Sequence, residues 1–229
     1  MVEAFAAFVN SLPVRVAALV DQLSVEGHPY DEEDTPLALE TLEKIMQRLP
    51  HLRVLRIFQV DLHVRKLERP VPKIMPRVEV LRLESISLHE APLALLSLVP
   101  NIKELYWGVW DTTPWLDAKT KASLSSLTAQ LAQSSFAHAL ERLVITDCGD
   151  CPCTAALVFE KIAAVRGLPK LTHLEIEPVP LSPTEDTAKI GHNISTLLAY
   201  FPDLRTFVFK ATYRRRIGDL ARKSPCLAT

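Results

Sequence analysis

The nine residues Leu49-Pro50-His51-Leu52-Arg53-Val54-Leu55-Arg56-Ile57 decide the fold of this chain. They contain an apolar-x-x-apolar-x-apolar hexamer, with Leu52, Leu55 and Ile57 at its apolar positions and Pro50 two residues ahead. The last two apolar positions alternate with polar or mixed ones, the period-two pattern of a short strand with one buried face. A proline just before it stops a helix and favours extended backbone. Helix, proline, strand is therefore the predicted unit.

The hexamer recurs along the whole chain. Its other copies are Val20, Leu23, Val25; Val78, Leu81, Leu83; Ile102, Leu105, Trp107; Leu140, Leu143, Ile145; Leu171, Leu174, Ile176; and Leu204, Phe207, Phe209. Pro76, Pro100, Pro169 and Pro202 repeat the role of Pro50, and Ala18 and His138 replace it in the remaining two. Successive copies begin 24 to 38 residues apart, against about 20 to 29 in leucine-rich repeats. An irregular, long-repeat member of that class is predicted: an α/β leucine-rich-repeat solenoid, a horseshoe arc of the ribonuclease-inhibitor kind. About seven parallel strands are backed by helices, and residues 1–229 form one domain.

Amphipathic stretches supply the crossovers. Residues Pro36 to Leu49 place Leu42, Ile45, Met46 and Leu49 on one stripe, with Pro36 suited to the first helical position. A second helix is predicted from about Thr184 to Phe201 behind the capping box Ser182-Pro183-Thr184-Glu185, and a third over Ala155 to Val165. The Leu62 to Met75 connection is broken by prolines and reads as loop or a single helical turn, whereas Gly108 to Ala137 is the longest and reads as helical from about Ala118 to Gln133. Near the end, Ser224-Pro225-Cys226-Leu227 begins like an eighth strand with no polar cap after it, as in a truncated array or one whose edge is covered by association.

Composition excludes several classes. At 48% apolar and 23% charged the chain is not a disordered polymer, and 17 Pro against 6 Gly is neither collagen nor flexible linker. Lys plus Arg number 26 and Asp plus Glu 27, so no global basic field recruits nucleic acid or anionic lipid. The N-terminus carries Glu3 and lacks the basic region and cleavage site of a signal peptide. No apolar run approaches the roughly 20 residues that span a bilayer. Cys148, Cys151 and Cys153 crowd together far from Cys226, unlike a disulfide framework, which favours a cytoplasmic or nuclear location.

Catalytic signatures are missing: there is no G-x-S-x-G, H-E-x-x-H, Walker A or G-x-G-x-x-G, and the 7 histidines are scattered without paired spacing. A non-catalytic protein with no cofactor and no metal is expected. The one chemical cluster, Cys148-Gly149-Asp150-Cys151-Pro152-Cys153, precedes a predicted helix whose dipole favours thiolate, so it reads either as a redox or half-zinc site or as ordinary repeat chemistry. Cys148 stands at the ninth repeat position, where leucine-rich repeats place Asn or Cys.

The strand positions that point away from the core form the predicted concave face, where such arrays bind partners. They bring together Arg56, Phe58, Arg82, Glu84 and Tyr106 in the middle, with Arg142, His173, Glu175 and Lys210 toward the C-terminal side. Arg and aromatic residues dominate binding hot spots; the alternative is that Arg56, Arg82 and Glu84 pair across strands and solvate the face. Trp110 and Trp115 read as an exposed aromatic contact or as a lid over the core. The acidic run Asp31 to Asp34 and the basic segment around Arg214-Arg215-Arg216 read as solvated loops or as charges that steer a partner.

The phrases Ala17 to Val25, Leu49 to Ile57, Leu168 to Ile176 and Phe201 to Arg205 resemble the leucine-rich-repeat portions of fungal F-box-type proteins. The resemblance covers essentially the whole chain. In that family an N-terminal F-box bundle docks on a Skp1-type adaptor of a cullin ubiquitin ligase, and the repeats select the substrate. It therefore implies a protein partner on the concave face and a Skp1-type adaptor recruited through an F-box. Leu12-Pro13 leads directly into the first strand phrase, leaving no room for that bundle within these residues. The alternative is a stand-alone regulatory repeat protein.

The repeat register makes one sharp prediction. Leu143→Asp buries an unpaired charge at a cost of several kcal/mol and unfolds the chain, whereas Arg82→Ala leaves folding nearly intact. Far-UV circular dichroism melts compare the two, and equal folding of both would show the register to be wrong.

Overall fold

The computed structural model of the chain describes residues 2–27, 35–64, 77–87, 90–110, 135–145, 168–176, 180–181, 195, 198–210 and 212–213. Each hexamer forms the strand expected of it: β1 (Gln22–Glu26), β3 (Val54–Phe58), β5 (Val80–Ser87), β6 (Glu104–Trp110), β7 (Arg142–Ile145), β8 (His173–Ile176) and β10 (Thr206–Phe209). They pair in that order in one seven-stranded, wholly parallel sheet. Parallel neighbours need a crossover between them, and α3 (Leu39–Arg48), α4 (Glu90–Leu98) and α5 (Ser135–Ala139) lie in three of those crossovers.

Pairing runs without offset. Leu23, Leu55, Leu81, Leu105, Leu143, Leu174 and Phe207 stand opposite one another across the sheet, and so do Val25, Ile57, Leu83, Trp107, Ile145, Ile176 and Phe209. A third apolar row, Leu52, Val78, Ile102, Leu140 and Leu171, is buried just ahead of the strands. Apart from Phe207 and Phe209, the three rows join the helix residues Leu42, Ile45, Met46, Leu95, Leu96 and Phe136 in one continuous core. Burial of aliphatic and aromatic area on this scale is the dominant stabilising term.

The backbone at each strand start fixes this register. One carbonyl accepts two N–H groups from the next strand: Asp21 from Arg53 and Val54, Arg53 from Glu79 and Val80, Glu79 from Lys103 and Glu104. Lys103, Glu141 and Thr172 repeat the fork across the remaining steps. Past the hexamer positions, within the second half of β5, one register shift lies between Glu84 and Ile86, where β5 bulges against β6.

Several connections differ from the sequence-based expectation. Pro36 does not open a helix; it lies in β2 (Thr35–Ala38), which pairs with β4 (Val60–His63), and α3 begins at Leu39. Leu37 is fully buried, as is its partner Leu62. A two-stranded sheet has only edges, so the N–H that Pro36 lacks need not break a ladder. Leu62 and His63 are accordingly strand rather than loop. Gln59 turns the chain from β3 into β4 at φ 50°, a left-handed conformation that costs a non-glycine residue about 1–2 kcal/mol, and its N–H donates to the Glu84 carbonyl at 3.1 Å. The strand β6 runs on through Gly108 to Trp110, so the longest connection begins later than expected. A second small pair joins β9 (Pro180–Leu181) to β11 (Thr212–Tyr213).

The N-terminal segment, to which the repeat pattern assigns no element, forms α1 (Val2–Ser11) and α2 (Val14–Ala17). Val9 is buried in the core, α1 packs on α3, and the Arg48 side chain donates to the carbonyls of Asn10 and Leu12 at 3.2 and 2.9 Å. Those carbonyls lie in the last turn of α1 and just past its end, where a basic side chain satisfies groups the helix cannot. At the opposite end, Phe207 and Phe209 are not buried as their hexamer positions predict; they are 36% and 38% exposed. Their strand is the last in the sheet, with β8 as its neighbour. The predicted helices over 118–133 and 155–165, the 182–185 capping box, the cysteines, Trp115, the acidic and basic runs and the eighth-strand phrase lie outside the described residues; Ser195 and Leu198 are helical, as predicted there.

Leu105 lies in the middle of the central row, fully buried. Leu105→Ala is expected to lower stability by about 2–5 kcal/mol, the usual cost of a buried leucine cavity, read as a shift of the urea midpoint with an unchanged slope.

Candidate functional site

The side of the sheet opposite the helices displays three rows. The central one reads Ser24, Arg56, Arg82, Tyr106, Val144, Glu175 and Val208. On one flank run Gln22, Val54, Val80, Glu104, Arg142, His173 and Thr206; on the other stand Glu26, Phe58, Glu84 and Gly108. Lys210 follows β10, its N–H donating to the Ile176 carbonyl. All nine residues singled out by the repeat pattern thus share this face.

Their side chains sort into three groups. In the first, Arg56 reaches Glu84 at 3.3 Å and Glu26 at 3.8 Å, with its guanidinium carbon 5.4 Å from the centre of the Phe58 ring. Here the cross-strand pairing reading holds. In the second, the Arg82 guanidinium lies 4.1 Å from the centre of the Tyr106 ring, and Arg142 lies 5.7 Å from the same centre. The Tyr106 hydroxyl donates to Glu104 at 3.4 Å. Cations over aromatic faces are attracted by the ring quadrupole. Among the described residues, Arg82 has no carboxylate within ion-pair distance.

Glu175 organises the third group. Lys210 meets it at 2.6 Å, Arg142 at 3.4 Å and His173 at 3.6 Å. Unlike an open docking residue, Glu175 is buried beneath these partners. The Lys210 hydrogen bond is the main reason its carboxyl titrates below the usual carboxylate range; burial pushes the other way, and the Lys210 charge, His173 and Arg142 add to the lowering. Val144, also expected to face outward, is buried as well.

A further charged row escapes a search confined to the strand faces. The second hexamer position reads Asp21, Arg53, Glu79, Lys103, Glu141, Thr172 and Arg205, alternating in sign over its first five members. Arg53 donates twice to one Glu79 oxygen, at 2.7 and 3.2 Å, and Lys103 donates to the other at 3.3 Å. The Arg53 hydrogen bond chiefly draws the Glu79 carboxyl below its ordinary range, followed by that from Lys103. Farther along, Arg77, Asn101, Glu141 and Lys170 border an open depression with Glu79 and Lys103. Such exposed pairs are screened by solvent. The alternating signs were available in the sequence, in the position just ahead of each strand.

Among the described residues, no three His, Cys, Asp or Glu side chains are grouped to hold a metal ion, and no helix is long and apolar enough to cross a membrane. Cys148, Cys151 and Cys153 lie outside those residues. No protein-family model matches the chain, and no curated protein matches it either.

The lowered titration of Glu175 has a definite sign. Its ionised form is favoured by folding, so its contribution is complete above the unfolded value of about 4.3 and is lost as the pH falls through the lower folded value. Glu175→Gln is expected to lower stability at neutral pH by about 1–3 kcal/mol and to make the acid limb of the stability curve shallower. Urea midpoints of both proteins between neutral and acid pH check this, and parallel acid limbs would exclude the role given to Glu175.

Proposed function

We propose that this chain is a non-catalytic protein-recognition scaffold, similar to the substrate-binding repeats of an F-box ubiquitin-ligase receptor. In this reading the parallel sheet belongs to a leucine-rich-repeat solenoid curved like the ribonuclease inhibitor, and the helix-free face is its concave, partner-binding side. The observation that carries it is the strand-start register, which gathers Arg56, Phe58, Arg82, Glu84, Tyr106, Arg142, His173, Glu175 and Lys210 from five strands and the residue after β10 onto one face. Arginine and aromatic side chains held flat by cation–π contacts lose little freedom on binding, which suits them as anchors.

A protein partner is the proposed ligand, in the cytoplasm or nucleus, with a Skp1-type adaptor joined through an F-box carried elsewhere in the full-length product. No nucleic acid, membrane, metal or cofactor enters the proposal, and no bond is made or broken.

Affinity capture from cell extract followed by native mass spectrometry is expected to yield a stoichiometric protein complex. Arg56→Ala with Phe58→Ala should weaken it at least tenfold, whereas Lys44→Ala with Gln47→Ala, on the exposed side of α3, should not. Retention by the first variant and loss by the second would move the interface to the helices. Recovery of the adaptor with the full-length product but not with these 229 residues supports the ubiquitin-ligase part, and its absence from the full-length capture counts against it.

A further inference from the structure

The cations on the helix-free face are not equivalent. Arg56 is matched by Glu26 and Glu84, and Arg142 and Lys210 share Glu175. Arg82 alone among these four has an aromatic ring and no acid. A guanidinium carries five N–H donors in its plane. Stacking on Tyr106 occupies the flat side of the group and leaves those in-plane donors, among the described residues, without a carboxylate in ion-pair range. The arrangement is fixed rather than incidental: Arg82 and Tyr106 are direct partners in the β5–β6 register, and Arg142 approaches the same ring from β7.

From this we infer that Arg82, seated on Tyr106, receives one carboxylate from an acidic side chain of a peptide segment in the partner. The inference rests on the scaffold reading and specifies its chemistry. Planar, two-pronged donation from guanidinium to carboxylate is the strongest pairing open to it. Charge selects a monoanion. Across the face, Arg56, Arg82, Arg142 and Lys210 are matched in number by Glu26, Glu84, Glu104 and Glu175, so no net positive field favours a multiply charged ligand. Glu84 stands two residues along the same strand and Glu104 lies diagonally across on β6, where they oppose a phosphate dianion more than a single carboxylate. Val54 and Val80, directly paired and half-buried beside Arg56 and Arg82, offer an apolar floor for the neighbouring side chain. The preferred segment therefore has an acidic residue next to an aliphatic one.

The test uses the whole chain and three blocked pentapeptides of sequence Ala-Val-X-Leu-Ala, with X as Glu, Gln or phosphoserine. Nitrogen-15 spectra of the arginine side chains follow each titration, the Arg82 signal being assigned by its loss in Arg82→Lys. The Glu peptide is expected to shift that signal saturably, and the Gln peptide to bind at least tenfold more weakly. Arg82→Lys should cost at least fivefold, and Tyr106→Leu should weaken binding while circular dichroism shows the fold retained. No saturable shift, or equal binding of Glu and Gln peptides, would overturn the site; tighter binding of phosphoserine would overturn its assignment to a carboxylate. Partner capture by Arg82→Ala at wild-type strength would sink this inference and leave the scaffold standing, whereas failure of the scaffold shows in the Arg56 and Phe58 variant.

Discussion

At each strand start in the large sheet, a single carbonyl accepts two N–H groups from the strand that follows. This fork is the constraint on which the remaining structure depends. A side-chain period of two means that a slip of one residue would exchange the buried and outward faces. By fixing where each strand begins relative to its neighbour, the fork puts leucine opposite leucine through six consecutive strands. The continuous core then favours the same register, because any slipped pairing would place Arg56, Arg82 or Glu175 among the aliphatic rows. Backbone geometry and apolar burial thus select one alignment together.

The same alignment distributes charge. Opposite signs face each other just ahead of the strands, at Arg53, Glu79 and Lys103, and again on the outward side at Arg56 with Glu84 and at Glu175 with Lys210 and Arg142. Glu175 is the most enclosed of these acids, and three basic side chains surround it. Removing it would leave the Lys210 and Arg142 charges near the sheet surface without their shared carboxylate, which gives it a structural role whatever the face binds. Arg82 is the contrasting case, seated on an aromatic ring and, among the described residues, without an acid in ion-pair range. Among the described residues, the outward surface therefore combines settled ion pairs with a cation that has no acid within reach.

All seven main strands were legible in the hexamer because its signal is local: a proline, a period-two apolar pair, and an apolar residue three positions ahead. The buried stripe of α3 was legible for the corresponding helical reason, and Leu42, Ile45, Met46 and Leu49 are all in the core. Features set by tertiary context were not. Pro36 looks like a helix start, but pairing with β4 and burial of Leu37 draw it into a strand. The helices α1 and α2 lie outside the repeat and carry no hexamer, so their contact with α3 had no periodic mark. Phe207 and Phe209 match the apolar pattern yet remain partly exposed, since burial requires a neighbour on both sides and pattern reports only the residue. On the candidate face, residue positions could be read from alternation, whereas the difference between paired Arg56 and acid-free Arg82 depends on side-chain geometry.

Because alignment is set afresh at each strand start, the length of chain between strands carries little information about the sheet. First positions 24 residues apart and 38 residues apart give the same alignment at the strand starts. The crossovers need not match one another in length, because short segments at both ends keep time independently of them. Evolution, or an engineer inserting a tag or a whole module, can therefore lengthen a crossover without disturbing the neighbouring outward rows, while a single inserted residue inside a strand would turn that segment inside out.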